Sequence, residues 1–495
     1  METTLLNAAM TTDFTTGVMA MLAPTVMSAG ALILMMQIAF WRHATASWVL
    51  SCVVIVAAML ALVPMSELAP SQVTPLLVND GYSVFFSGVL LFACLITILL
   101  SKDYLAQRSG ENEEFYLLLI LSTLGALILV SATHLASFLL GLELLGVALY
   151  ALIAYPERGH QPLEAAIKYL ILSGAASAIL LFGFALIYAA LGTLSFAGIG
   201  EQLANPDLPD NRLLILMGTA MIFAGVGFKL SLVPFHMWTP DVYQGAPSPV
   251  TGFLATVSKG AIFAALLRLY AAAELHQYSG ILLGLTVIAV ASMLVGNLLA
   301  LKQDNLKRLL AYSSIAHLGY LVITLVVFGV LQNQSLAIEA AGFYLAAYVV
   351  TSLAAFALLC IISSNNQGIE YDSIDQIKGL FWAKPLLALM FTIALLSLAG
   401  IPLTAGFIGK FYLFTAGIEG EVWMLLSALV VGSAISIYYY LRIIFAMTMK
   451  SDDNGALHAQ YSVSGISVCV IWLLIFSILY LGVLPESVMQ HLGLL

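Results

Sequence analysis

The stretch R-L-L-I-L-M-G-T-A-M-I-F-A-G-V-G-F-K-L-S-L-V-P-F-H-M-W-T-P, residues 212–240, decides the fold. Between Arg212 and Lys229 it carries no charge, and a helix needs about 20 mainly apolar residues to cross the hydrocarbon core of a bilayer. Lys229 falls while that helix is still within the bilayer. Pro234 and Pro240 then withhold backbone donors that a continuous helix requires. The reading is a membrane-crossing helix that breaks beside a buried cation. A break frees carbonyls and amides, tolerated at that depth only inside protein or along a hydrated cavity.

A second stretch repeats the pattern. In residues 385–416, Gly400, Pro402, Gly406 and Gly409 interrupt an apolar run, and Lys410 follows the break. The rest of the chain agrees with a membrane setting. Of its 495 residues 62% are hydrophobic and 9% charged, with a mean hydropathy of +1.03. Soluble chains carry roughly 25% charged residues, so a water-soluble globule is excluded, as are disorder and a basic nucleic-acid binder. The four cysteines stand singly in apolar runs, against a zinc, iron–sulfur or disulfide framework. The amino terminus holds Glu2 and Asp13 and no early Lys or Arg, unlike a cleaved signal peptide.

Apolar runs predict fourteen spans, near 18–40, 46–64, 82–100, 115–132, 135–155, 162–190, 212–235, 249–272, 279–301, 306–330, 336–363, 385–416, 422–448 and 463–485. The fold class is therefore an all-α polytopic membrane protein. With the amino terminus outside, the cytoplasmic connections and their borders hold Arg42, Lys102, Arg108, Arg158, Lys302, Lys307, Arg308, Lys378, Lys384, Arg442 and Lys450. The outer side holds Arg212 and Arg268. That asymmetry orients both termini outward. Spans four to eight and nine to thirteen form five-helix sets that start on opposite sides, each with its interrupted helix fourth. Paired broken helices in inverted halves point to a transport site. The organisation expected is 1–114 with three spans, inverted repeats at 115–272 and 273–448, and a last span in 449–495.

Four lysines, Lys168, Lys229, Lys259 and Lys410, fall inside spans, with Glu143 the one deep acid. Each costs ~2.5–3.5 kcal/mol at the membrane centre, so all five must face protein or a hydrated path. Glu143 and Lys168, on consecutive antiparallel spans, read as an acid–lysine pair that changes during a cycle, against a static pair joining two helices. Lys229, Lys259 and Lys410 then have no deep carboxylate. Removal from water disfavours a charged amine, so such lysines suit a proton relay. The alternative is snorkelling, but Lys259 lies about ten residues, ~15 Å, from the end of its span. His317, beside Tyr312, Ser313, Ser314 and Tyr320, is a candidate carrier between lysine sites. His236, just past Pro234, is a weaker candidate for proton uptake. No P-loop, dinucleotide fingerprint or paired-histidine haem pattern occurs, and no metal or cofactor is expected in this chain.

Three strings carry a resemblance: K-L-S-L-V-P-F-H-M-W-T-P-D-V-Y-Q-G-A-P (Lys229 to Pro247), D-N-L-K-R-L-L-A-Y-S-S-I-A-H-L-G-Y (Asp304 to Tyr320) and S-L-A-G-I-P-L-T-A-G-F-I-G-K-F-Y (Ser397 to Tyr412). With them the chain, from about residue 80 onward, resembles the antiporter-like membrane subunits of bacterial NADH–quinone oxidoreductase, respiratory complex I. T-P-D-V-Y-Q-G-A-P looks like the N type, unlike the sister L and M types. The resemblance implies fourteen helices with inverted five-helix repeats. It also implies a proton-translocating subunit of the bacterial inner membrane, driven by NADH-to-quinone electron transfer elsewhere. By it Glu143 is the essential acid of helix five, Lys168 its modulating partner, and Lys229, Lys259 and Lys410 the lysines of helices seven, eight and twelve. The implied partners are the M and L types, the small K, J and A types, and lipid. NADH, FMN, iron–sulfur clusters and quinone would belong to the complex as a whole. The alternatives are a subunit of a multisubunit sodium/proton antiporter, which resembles this family, and a structural element holding lipid on its lysines.

Overall fold

The computed structural model describes residues 14–106, 108, 111–155, 160–205, 211–331, 334–363, 370–449 and 463–486. Arg158, Lys450 and much of the segment flanking the last span lie outside the described residues. Among those described, thirteen helices are long and apolar enough to cross a membrane. They begin with α1 (Leu22–Phe40), α2 (Ala44–Glu67), α3 (Gly81–Ala106), α4 (Glu113–Val130), α5 (Leu135–Ala154), α6 (His160–Leu191) and α7 (Arg212–Lys229). After α7 comes the short α8 (Trp238–Gly245), then α9 (Ser248–Ala272), α10 (Ser279–Ala300), α11 (Leu306–Val330) and α12 (Gln334–Ser363). Two fifteen-residue helices, α13 (Pro385–Ala399) and α14 (Ala405–Glu419), precede α15 (Trp423–Thr448) and α16 (Gly465–Val483). The chain is a polytopic all-α membrane protein, and the expected span at 385–416 is divided between the two shorter helices α13 and α14.

Both expected interruptions are present, and local chemistry explains them. At the end of α13, Gly400 takes φ +87°, a conformation that glycine adopts without steric cost. Its N–H closes on the Leu396 and Ser397 carbonyls, so the helix stops. At the end of α7 the Leu232 N–H reaches back to the Gly227 carbonyl, Ser231 takes φ 62°, and Pro234 has no N–H to continue the ladder. A third irregularity was not expected. Within α9 the five residues Leu254–Ser258 form a π-helical turn that ends at Lys259.

The membrane-crossing windows of α9 and α12 are buried throughout, so these helices form the centre. Peripheral helices turn apolar side chains outward, as α6 does with Leu170, Ile171, Leu181 and Phe182. In lipid that exposure carries no penalty, and helices associate through close packing rather than hydrophobic burial. The α4–α5 contact illustrates it: a Cβ on Gly125 would lie 2.5 Å from the Leu145 nitrogen and 2.8 Å from the Gly141 carbonyl oxygen. Gly296 plays the same part between α10 and α11, where a Cβ would meet the Ala316 nitrogen and the Tyr312 carbonyl oxygen at 2.8 Å.

Two placements differ from expectation. A two-stranded antiparallel hairpin, β1 (Ser71–Thr74) and β2 (Leu77–Asn79), caps the α2–α3 connection with Ser71 opposite Asn79. Arg268, expected at an outer border, is buried near the end of α9, where it donates to both Asp80 carboxylate oxygens at 2.5 and 2.8 Å and to the Val130 carbonyl at 3.2 Å. Asp80 also exchanges hydrogen bonds with Ser83 at the start of α3, so one carboxylate caps a helix and neutralises a buried cation. Burial pushes the Asp80 carboxyl up, but its bonds from Arg268 outweigh that and hold it below the usual value.

Candidate functional site

Lys229 is the last residue of α7, where the break leaves its side chain inside the protein at 4% exposure. Its ammonium donates to Ser173 Oγ on α6 at 2.7 Å, and Ser173 also bonds the Tyr150 hydroxyl at 2.8 Å. The Glu143 carboxylate stands 4.0 Å from Lys229 Nζ and accepts from Ser177 Oγ at 2.5 Å. Ser173 and Ser177 are one helical turn apart on α6, so one face of that helix serves both charged groups. The Glu143 side chain is 35% exposed on the flank of the helix bundle, while Lys229 is enclosed. A carboxylate open to its surroundings is thus coupled to an ammonium that is not.

A second group lies among α9, α11, α12 and α14. Lys259 is fully buried, and its ammonium donates to Ser314 Oγ at 2.8 Å, which meets the Tyr348 hydroxyl at 2.6 Å. The Tyr243 ring of α8 lies 5.2 Å from the same ammonium, within cation–π range. His317 sits one turn along α11 from Ser313 and Ser314. Its Nδ1 is 2.6 Å from the Tyr344 hydroxyl, and the Tyr320 and Tyr348 rings lie 5.5 Å away. Lys410 donates to the Leu398 and Ala399 carbonyls at 3.1 and 2.9 Å. Those carbonyls are free because α13 ends there. Lys410 Nζ also faces the Tyr320 ring at 5.4 Å. Hydroxyls and aromatic rings therefore run from Lys259 past His317 to Lys410.

The expected Glu143–Lys168 pair is not formed. Lys168 bonds Glu164 at 2.8 Å and Asp241 of α8 at 3.1 Å, and its side chain is 43% exposed. The physical reason is distance along α6: Ser177, which holds Glu143, lies nine residues beyond Lys168, a rise of ~13.5 Å. Lys168 moreover leans toward Glu164, the opposite way. The nearest ammonium to Glu143 is Lys229, so the expectation that Lys229 lacks a deep carboxylate is corrected as well. His236 is buried in the turn between α7 and α8, flanked by the exposed Phe235 and Met237.

Several residues here were not singled out beforehand. Ser173, Ser177, Tyr150, Tyr344 and Tyr348 are common membrane-helix residues; the one signal is the i, i+4 spacing of Ser173 with Ser177 and of Tyr344 with Tyr348. Glu370 gathers Lys307 at 2.8 Å, Arg108 at 3.0 Å, Ser248 Oγ at 2.5 Å and the Tyr104 hydroxyl. Burial pushes its carboxyl up, but Lys307 and Arg108 outweigh that and hold it below the ordinary carboxylate value. No group of three or more His, Cys, Asp or Glu among the described residues is arranged to hold a metal ion.

Comparison with known proteins gives concordant results. Residues 132–436 match the family described as NADH:quinone oxidoreductase/Mrp antiporter, transmembrane. The chain is 46% identical over 469 residues to NADH-quinone oxidoreductase subunit N of Ectopseudomonas mendocina (strain ymp), covering 93% of this chain and 92% of that one. Its fold matches a chain of respiratory complex I from Thermus thermophilus with bound aureothin at TM-score 0.80 and 34% identity, covering 94% of this chain and 98% of that one. A chain of the Mrp complex from Dietzia sp. DQ12-45-1b shares the fold at TM-score 0.83 and 20% identity, with 97% of each chain covered.

Proposed function

The chain belongs to the NADH:quinone oxidoreductase/Mrp antiporter family, and from that premise we propose that it carries protons across the membrane as an antiporter-like, N-type subunit of respiratory complex I. Its partners are other membrane-arm subunits, and NADH-to-quinone electron transfer in other chains supplies the energy. In this reading the protein lies in the bacterial inner membrane with both termini outside. Protons are taken up from the cytoplasm near His236 and Lys229, pass Lys259 and His317, and leave by way of Lys410. Glu143 tunes Lys229. Residues 115–272 and 273–448 act as inverted halves, each with a lysine beside its broken helix.

The observation that carries this reading is the enclosed Lys229 ammonium held between a serine hydroxyl and a flank-facing carboxylate. A lysine serving only to snorkel would extend to the headgroups instead. The test is Lys229→Ala in the assembled complex, with proton uptake into inverted membrane vesicles measured during NADH oxidation. The expected result is a loss of at least ~10-fold in pumping at unchanged complex content. Pumping equal to the parent overturns the relay.

A further inference from the structure

Helix α8 is a separate eight-residue piece, seated between α6 and α11 and bonded to both. Asp241, in its first turn, bonds Lys168 of α6 at 3.1 Å and Arg308 of α11 at 2.6 Å. Arg308 also donates to Gln244 at 3.1 Å, and Lys307 donates to the Ala246 carbonyl just past the end of the helix at 2.8 Å. On the α6 side the fit is tight: a Cβ on Gly245 would meet the Gln161 carbonyl oxygen at 2.7 Å. On its inner side α8 presents Tyr243, fully buried with its ring 5.2 Å from Lys259 Nζ, and Trp238, packed on the tilted Tyr169 ring at 4.9 Å and bonded through Nε1 to the Phe228 carbonyl at 2.9 Å. Tyr169 in turn packs on Tyr150 at 5.4 Å, and Tyr150 shares Ser173 with Lys229. The short helix thus touches the surroundings of both Lys229 and Lys259.

We propose that Lys168 acts on the proton relay through Asp241 and helix α8, with Arg308 as the opposing arm, and not through Glu143. Lys168, Asp241 and Arg308 are positioning residues. Together they hold α8 so that Tyr243 stays against Lys259 and Trp238 against the Lys229 side. The proposal rests on the relay reading above. The ~13.5 Å rise between Lys168 and Ser177 leaves direct pairing with Glu143 out of reach without moving the backbone.

The experiment is a pair of double-mutant cycles in the assembled complex, reading protons pumped per NADH oxidised in inverted vesicles and complex content by native gel. Lys168→Gln and Asp241→Asn are each expected to lower the ratio about 3- to 10-fold. Their combination is expected to be no worse than the poorer single variant, whereas Lys168→Gln with Glu143→Gln multiplies. Asp241→Glu restores the ratio to within about 2-fold. Should Asp241→Asn fail to assemble, Arg308→Gln takes its place in the cycle and is expected to show the same non-additivity with Lys168→Gln. Asp375→Asn, an exposed acid in the α12–α13 connection, is the control and leaves the ratio unchanged. Multiplying effects of Lys168 with Asp241 or Arg308, or non-additivity of Lys168 with Glu143, overturn the proposal while Lys229→Ala still abolishes pumping. Failure of Lys229→Ala to affect pumping overturns the relay instead, so the two failures are told apart.

Discussion

Glu143 Oε1 lies 4.0 Å from Lys229 Nζ, and the two charges belong to helices α5 and α7 with the serine-bearing face of α6 beside them. At that distance the attraction is ~4 kcal/mol at an effective permittivity near 20, and the 35% exposure of the Glu143 side chain screens it below that. Protonating Glu143, or drawing its charge away toward a neighbour on the exposed flank, therefore changes strongly how Lys229 holds its proton. This electrostatic coupling needs no large motion of the backbone.

Ser173 is the hydroxyl shared by Lys229 and Tyr150. Ser173→Ala is expected to assemble, since it removes one oxygen from a packed helix face, yet to leave a buried ammonium without its closest acceptor. Pumping should fall about 5- to 50-fold, in line with ~1–3 kcal/mol for a lost hydrogen bond to a charged group. Ser173→Thr, which keeps the hydroxyl, should recover most of it. Proton uptake in inverted vesicles reads both.

Tyr344 donates or accepts at His317 Nδ1 across 2.6 Å. Tyr344→Phe keeps the ring packed between α11 and α12 and removes only the hydroxyl. Pumping is expected to drop several-fold with thermal stability changed by ~1 kcal/mol. An unchanged pumping rate would show that His317 works without this partner.

Asp80 and Arg268 form a buried pair, with Arg268 nine residues beyond Lys259 on α9, a rise of ~13.5 Å. Asp80→Ala strands the guanidinium and should cost ~3–5 kcal/mol, whereas replacing both, as Asp80→Asn with Arg268→Met, should restore much of that. Thermal unfolding in detergent, followed by tryptophan fluorescence, distinguishes a pair that supports the fold from one that supports transport. Pumping per assembled complex is expected to stay near the parent level in the double variant.

Glu370 makes a prediction about acid. Its folded-state carboxyl is held below the ordinary value, so its stabilising contribution is fully present above the unfolded value of ~4.3. That contribution disappears as pH falls through the lower folded value. The thermal midpoint of the parent should therefore decline as pH is lowered from 5 through ~4 and below. Glu370→Gln should be less stable at pH 7 and show a shallower acid decline, measured on the same detergent-solubilised complex.

Depth in the membrane is a one-dimensional property, and the linear order of residues determines it. At ~1.5 Å per residue, apolar run lengths place the crossings. The scarcity of charge makes Glu143, Lys229, Lys259 and Lys410 conspicuous, and proline and glycine mark the breaks after Lys229 and before Lys410. Partnership is different, because it depends on how each helix is rotated about its axis and which neighbour it meets. Adjacency in the chain suggested Glu143 with Lys168. Packing turned Lys168 toward Asp241 and set Glu143 beside Lys229. Tertiary structure alone also drew Glu370 inward onto Lys307 and Arg108, lined the lysines with ordinary serines and tyrosines, and wound the π turn before Lys259. Those outcomes follow from side chains far apart in the chain competing for the same few polar atoms, a contest that no local pattern encodes.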